Sequence, residues 1–132
     1  MDKLFPFNNH LPVKVRFGNG IAKTLPEVVK EVASKHVFLM VDDGIEKFNP
    51  AADAVIKYLQ SAADIKVTVF GKPAGEPTIA MVDDATNALK ASGADSVVAL
   101  GGGSVIDTAK AARLCAQLNV RSDEHTPELQ SH

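Results

Sequence analysis

The sequence predicts an α/β fold in which helices cover both faces of a doubly wound, mostly parallel sheet. Three short runs rich in valine and other apolar residues, 36–41, 65–70 and 96–100, have the length and composition of buried strands. Each run is followed by a longer segment with helical periodicity, and this repeated order implies right-handed crossovers between parallel strands. A sheet of this kind binds its ligands at the carboxyl ends of the strands.

Length and composition indicate one globular domain. The 132 residues are 45% hydrophobic and carry a formal net charge of −2, so nothing points to a nucleic-acid partner. The chain lacks both the run of about 18 apolar residues that a membrane span needs and the features of a secretory signal, so we expect a cytoplasmic protein. The single cysteine, Cys115, falls on the last predicted helix, where we expect it to pack as a small apolar residue.

The first elements precede the three pairs of strand and helix. Residues 13–17 alternate apolar and basic side chains, which predicts a strand with one solvated face. Gly18-Asn19-Gly20 follows this strand. A helix is then predicted from its cap at Thr24 to about Lys35.

Polar caps and a terminal glycine mark the boundaries of the later helices. Asn49 and Pro50 suit the cap and the first position of the second helix. Thr78 caps the next helix, which is predicted to end before Gly93.

The segment from Asp95 to Lys110, DSVVALGGGSVIDTAK, carries the strongest functional signal. Its strand, 96–100, is predicted to be central in the sheet and buried on both faces. The three glycines at 101–103 let a ligand approach the backbone, and Ser104 with Asp107 resembles a capping box that starts a helix. Free N–H groups at that helix start favour an anion such as phosphate, although the same order also occurs as plain architecture. The GK[ST] ending of a P-loop is absent.

Asp42 directly follows the apolar run 36–41, in the sequence Asp42-Asp43-Gly44. An acid at the carboxyl end of a parallel strand can accept hydrogen bonds from a ribose, and its charge repels a 2′-phosphate. A simple Asp-Gly turn is the alternative. Gly18-Asn19-Gly20 and Asp42 do not make a dinucleotide fingerprint, because Lys23 stands where the third small residue is needed.

These motifs resemble those of a known family. GGGSVIDTAK is similar to the nucleotide-binding signature of the iron-containing (group III) alcohol dehydrogenases, relatives of glycerol dehydrogenase and dehydroquinate synthase. FGNG at 17–20, VDDG at 41–44 and GEPT at 75–78 occur in the same order as in the N-terminal half of that family. The likeness extends over about residues 10–120.

The resemblance implies a Rossmann-like domain that binds NAD, with NADP less favoured, and hydride transfer that converts an alcohol to an aldehyde or ketone. It assigns cofactor contacts to seven residues: Asp42, Thr78, Gly101, Gly102, Gly103, Ser104 and Asp107. The glycines and Ser104 would hold the pyrophosphate through backbone N–H groups, and Asp107 would lie near the nicotinamide ribose or a bound water. Asp42 would bind the adenine ribose, and the segment that contains Thr78 would approach the nicotinamide end.

The metal site of that family is not visible in this sequence. In the family, Fe²⁺ or Zn²⁺ is bound by one aspartate and three histidines of a C-terminal helical domain, and a Thr-Thr-x-Gly-Thr-Gly segment closes over the cofactor. We therefore expect residues 1–120 to be a truncated nucleotide-binding domain that is inactive alone and contains no catalytic or metal-binding residue. The full-length form is expected to be a homo-oligomer that acts on a small alcohol or aldehyde.

The end of the chain differs in character from the rest. Residues 121–132 show no helical or strand periodicity, and they resemble a translated sequencing-adapter read, so we expect a non-native tail.

Three alternatives remain open for the function: a glycerol dehydrogenase, a dehydroquinate synthase-type relative, and a nucleotide-binding module without catalysis.

Overall fold

The computed structural model describes residues 13–44 and 49–118. A 3-10 turn, Ile21–Thr24, leads into the first helix. The helices are α1 (Leu25–Glu31), α2 (Pro50–Gln60), α3 (Ile79–Ser92) and α4 (Gly103–Leu118). The strands are β1 (His36–Asp42), β2 (Lys66–Lys72) and β3 (Ser96–Leu100). The predicted tail, 121–132, lies outside the described residues.

The three strands form a parallel sheet in the order β2-β1-β3. The prediction that 96–100 is the central strand is therefore wrong for the described sheet, because β1 lies between the other two. Residues 37–41 of β1 are 0% exposed, whereas all five residues of β3 are half-buried. The difference follows from position, since β1 has a strand on each side and helices on both faces.

Helices cover both faces of the sheet, as predicted. On one face α1 and α2 pack against the odd-numbered side chains of β1, in a buried cluster of Val29, Val37, Leu39, Val41, Ile56, Leu59 and Ile65. On the other face α3 and α4 pack against the even-numbered ones, in a cluster of Phe38, Met40, Ala85, Leu89, Val105, Ala109 and Ala112. The rings of Phe38 and Phe70 stack there with centroids 5.5 Å apart. Cys115 is 1% exposed, so its predicted packing role is confirmed.

The boundaries of α2 and α3 confirm the predicted caps. Asn49 Oδ1 accepts a hydrogen bond from the backbone N–H of Ala51 at 2.9 Å. Thr78 Oγ1 accepts one from the N–H of Met81 at 3.1 Å. Helix α3 ends at Gly93, which has a left-handed φ of 72° that favours glycine.

The first elements differ from the prediction. Thr24 does not cap α1 with its side chain, because its hydroxyl donates instead to the carbonyl oxygen of Ile21 at 2.7 Å. Helix α1 ends at Glu31 rather than near Lys35. Residues 13–17 form no strand and are exposed. A strand needs a hydrogen-bonded neighbour, and no described segment pairs with these residues.

Candidate functional site

The carboxyl ends of the three strands lie at one edge of the sheet, because all three strands are parallel. β1 ends at Asp42, β2 ends at Lys72, and β3 leads into the glycine turn at 101–103. Neighbouring strands lie about 4.8 Å apart. The loop after β2 and the glycine turn therefore flank Asp42 from opposite sides.

The glycine turn leads directly into α4. The N–H of Ile106 donates to the carbonyl oxygen of Gly102 at 3.2 Å, which places Gly102 at the N-cap position. The prediction that Ser104 caps this helix in a capping box with Asp107 is wrong, because Ser104 lies inside the first turn. Asp107 is exposed one turn further along. The first backbone N–H groups of α4 are left without intrahelical acceptors and face the turn.

At two of the three glycines, neither a positive φ nor crowding by neighbouring atoms requires glycine. Gly101 has a φ of 148°, which side chains rarely adopt, whereas Gly102 and Gly103 are not among the positive-φ residues. A Cβ built on Gly102 or on Gly103 would meet no atom within 4 Å. The missing side chains leave open space directly above the N–H groups that begin α4. An anionic ligand could approach the backbone closely in that space.

Asp42 is half-buried, and its carboxylate forms part of a turn. Its Oδ1 accepts a hydrogen bond from the N–H of Gly44 at 2.8 Å, so the Asp-Gly turn does form. This bond uses one of the two carboxylate oxygens. The other can accept a hydrogen bond from a ligand hydroxyl, so the turn and ribose binding are compatible.

Asp43 lies on the opposite face from Asp42. Its carboxylate oxygen Oδ1 occupies the space above Gly71, where an added Cβ would overlap it. This contact explains the glycine at position 71 by packing. It also separates the two adjacent acids, so that Asp42 alone shares a face with α3 and α4.

The loop after β2 contains Thr78 and one residue that the sequence reasoning missed. The Thr78 hydroxyl oxygen serves as the cap of α3, as described above. Lys72 is 0% exposed, and its ammonium group donates 2.7 Å hydrogen bonds to the carbonyl oxygens of Pro73 and Gly75. No sequence signal identifies it, because a lysine at the start of a loop rich in proline and glycine is expected to be exposed.

Among residues 13–44 and 49–118, no group of three or more histidine, cysteine, aspartate or glutamate side chains could hold a metal ion. His36 instead binds Thr68 across the sheet, with Nε2 and Oγ1 2.7 Å apart. None of the helices in this part of the chain is long and apolar enough to cross a membrane.

The family model of the iron-containing alcohol dehydrogenases matches residues 12–130. This chain belongs to that family. Choline dehydrogenase of Bacillus subtilis (strain 168) is 34% identical over 111 residues, which cover 84% of this chain and 27% of the relative. The mitochondrial hydroxyacid-oxoacid transhydrogenase of Homo sapiens is 32% identical over 77% of this chain and 21% of its own length.

Solved structures of iron-containing alcohol dehydrogenases share the fold. The NADH-dependent butanol dehydrogenase A of Thermotoga maritima superposes with a TM-score of 0.73 at 29% identity, over 81% of this chain and 27% of that one. A halo-thermophilic archaeal alcohol dehydrogenase from a Red Sea brine pool superposes with a TM-score of 0.71 at 31% identity, over 87% of this chain and 28% of that one. The chain thus spans less than a third of the length of these relatives, and the match confirms the predicted Rossmann-like class.

Proposed function

We propose that this chain is the dinucleotide-binding part of an NAD-dependent alcohol dehydrogenase. The observation that carries the proposal is the open space at Gly102 and Gly103, beside the free N–H groups of α4. Neither a positive φ nor crowding by neighbouring atoms requires glycine at these two positions. The close approach of a pyrophosphate to the backbone does require small residues there, and this supports the proposal.

The glycine turn holds the pyrophosphate through backbone N–H groups. Ser104 contributes its own N–H from the first turn of α4, and this replaces the capping role expected from the sequence. The partial positive charge of the helix start, about +0.5, stabilises the phosphate charge. Asp107, exposed one turn along, faces the nicotinamide ribose side of the bound dinucleotide.

Asp42 binds the adenine ribose. It lies on β1, next to β3, and its second carboxylate oxygen accepts hydrogen bonds from the ribose hydroxyls. A 2′-phosphate would bring negative charge against this carboxylate, so NAD is favoured over NADP. Bound NAD supplies the acceptor for the hydride that leaves the alcohol carbon.

The described residues bind and orient the cofactor and supply no group to the reacting carbon. Among them, no group of three or more histidine, cysteine, aspartate or glutamate side chains could hold the metal that gives the family its name. The family resemblance assigns the metal ligands to a C-terminal helical domain, so we propose that the described domain alone binds NAD without oxidising alcohol.

Replacing Gly102 by valine tests the site. Valine would fill the space proposed for the phosphate, and each lost hydrogen bond to a charged group costs about 1.5–3 kcal/mol, so the NAD⁺ Kd should rise roughly 10- to 100-fold. The fold should persist, because a Cβ at this position would meet no atom within 4 Å. Valine caps a helix less well than glycine, which destabilises the folded state, but it also restricts the unfolded chain, which favours folding. These effects oppose each other, so the free energy of unfolding should change by about 1 kcal/mol or less.

The matched control is Gly18→Val, since Gly18 is exposed and equally free of neighbours but lies before α1. Isothermal titration calorimetry with NAD⁺ and thermal unfolding would be measured for the native chain and both variants. Undiminished NAD⁺ binding by G102V would contradict the proposed site, as would an equal loss in G18V.

A further inference from the structure

Lys72 is a charged side chain with no exposed surface. Lysine is almost never fully buried unless its charge is paired. Within the described residues the ammonium group of Lys72 forms no ion pair with a carboxylate, and it donates instead to two backbone carbonyl oxygens at 2.7 Å. The buried cation is therefore stabilised by the loop that follows it.

The two carbonyl oxygens belong to Pro73 and Gly75, so the ammonium group binds two of the first three residues of the loop. This loop, 73–77, contains two prolines, which have no N–H with which to hold the loop. Gly75 has a φ of 111°, a conformation that needs glycine. The hydrogen bonds of the lysine side chain thus stabilise the conformation of a loop in which two residues cannot donate a backbone hydrogen bond.

The 73–77 loop lies beside Asp42, the proposed ribose-binding residue. Lys72 is the register partner of Asp42 on the neighbouring strand. Both side chains continue the face on which Phe38 and Phe70 stack, because side chains alternate along a strand. The loop then leads to Thr78 and the start of α3, so it lies at the carboxyl edge of the sheet next to Asp42.

We propose that Lys72 is a positioning residue of the dinucleotide site, which holds the 73–77 loop in the shape that binds the cofactor beside Asp42. This inference rests on the proposed function. Lys72 does not touch the ligand, since it is fully buried. Without its ammonium group the two carbonyl oxygens lose their donors, and the loop has to open toward water to satisfy them.

The test compares Lys72→Met, which keeps the apolar stem and removes the charge, with Lys66→Met. Lys66 is exposed at the opposite end of β2, on the same face, so K66M is a matched control. Kd is measured for NAD⁺ and for inorganic pyrophosphate, which probes the glycine turn alone. The NMR order parameters of the Gly75 and Glu76 amides report the loop directly. K72Q, which retains a neutral donor, replaces K72M if that variant does not fold.

In K72M we expect the NAD⁺ Kd to rise about tenfold or more. The loop order parameters should fall from about 0.85 to below about 0.6. Pyrophosphate affinity should be unchanged, and K66M should match the native chain in every measurement. Equal weakening of pyrophosphate and NAD⁺ binding would indicate general damage and overturn the proposal.

Two further results would also overturn the inference: a K72M loop as ordered as the native one, or a loosened loop with unchanged NAD⁺ affinity. A native chain that does not bind NAD⁺ would refute the proposed function, and with it the role of Lys72 in that site. The order parameters distinguish the two failures, because they are measured without the cofactor.

Discussion

Ser34 joins the amino-terminal ends of β1 and β3, and its replacement by alanine should destabilise the fold. Its hydroxyl donates to Asp95 Oδ1 at 2.5 Å and accepts from the hydroxyl of Ser96, with the two oxygens 2.6 Å apart. Ser34 is 6% exposed, whereas Asp95, which accepts its hydrogen bond, is exposed, so water can partly replace the lost donor. The net contribution of an intramolecular hydrogen bond is about 1 kcal/mol, so we expect S34A to lower the free energy of unfolding by about 1 kcal/mol.

The destabilisation should depend on pH. The hydrogen bond from Ser34, followed by the one from the backbone N–H of Lys35, lowers the pKa of Asp95 below its usual value of 3.8. A carboxyl group with a lowered pKa stabilises the folded state above its unfolded pKa, and this contribution is lost as the pH falls through the folded pKa. The effect of S34A should therefore be complete at pH 7 and should shrink below pH 3.8 as Asp95 is protonated.

Urea unfolding followed by circular dichroism at several pH values would measure both effects. The control is Ser61→Ala, because the exposed Ser61 hydroxyl forms a 3.3 Å hydrogen bond to the carbonyl oxygen of Tyr58. That substitution should cost about 0.5 kcal/mol or less. The reasoning would be refuted if S34A cost no more than S61A at pH 7, or if its cost did not diminish in acid.

Two further predictions concern the core and the ribose acid. Leu39 is 0% exposed at the middle of β1, so Leu39→Ala should leave a cavity and lower the free energy of unfolding by about 3–4 kcal/mol, measurable by urea unfolding. A cost below about 2 kcal/mol would contradict the burial of this side chain between sheet and helices. Asp42→Asn should weaken NAD⁺ binding and narrow the preference for NAD⁺ over NADP⁺ in calorimetric titrations, because it removes the charge that repels a 2′-phosphate. Asp43→Asn is the control, since Asp43 lies over Gly71 on the other face, and an equal effect of both substitutions would count against Asp42 as the ribose ligand.

The strands and most helix boundaries could be predicted because their signals are local. The apolar run 36–41 became β1, and the caps Asn49 and Thr78 form the hydrogen bonds that their positions predicted. Gly93 ends α3 because it alone among neighbouring residues adopts a left-handed φ without strain. In each case the decisive interaction involves residues a few positions apart, which a single sequence displays directly.

Predictions that depended on distant partners were less successful. The apolar run 96–100 has the composition of a central strand, but the strand order that places it beside β1 and not between two described strands is a tertiary property. Residues 13–17 alternate as a strand does, yet alternation does not supply a pairing partner. Ser104 was expected to cap α4 because of its residue type, whereas the helix begins two residues after Gly101, at Gly103.

The candidate site shows the same division between local and distant causes. The position of Asp42 and of the glycines at the carboxyl edge of the sheet could be predicted from sequence, because a residue at the end of a parallel strand lies at that edge whatever the rest of the chain does. Lys72 is also the last residue of a strand, but its proposed role comes from burial, which depends on the path of the loop beyond it. If Lys72 were exposed, it would add only a solvent-screened positive charge to this edge of the sheet. Because it is buried and donates to the carbonyl oxygens of Pro73 and Gly75, the same side chain instead holds the conformation of the 73–77 loop without contacting the ligand.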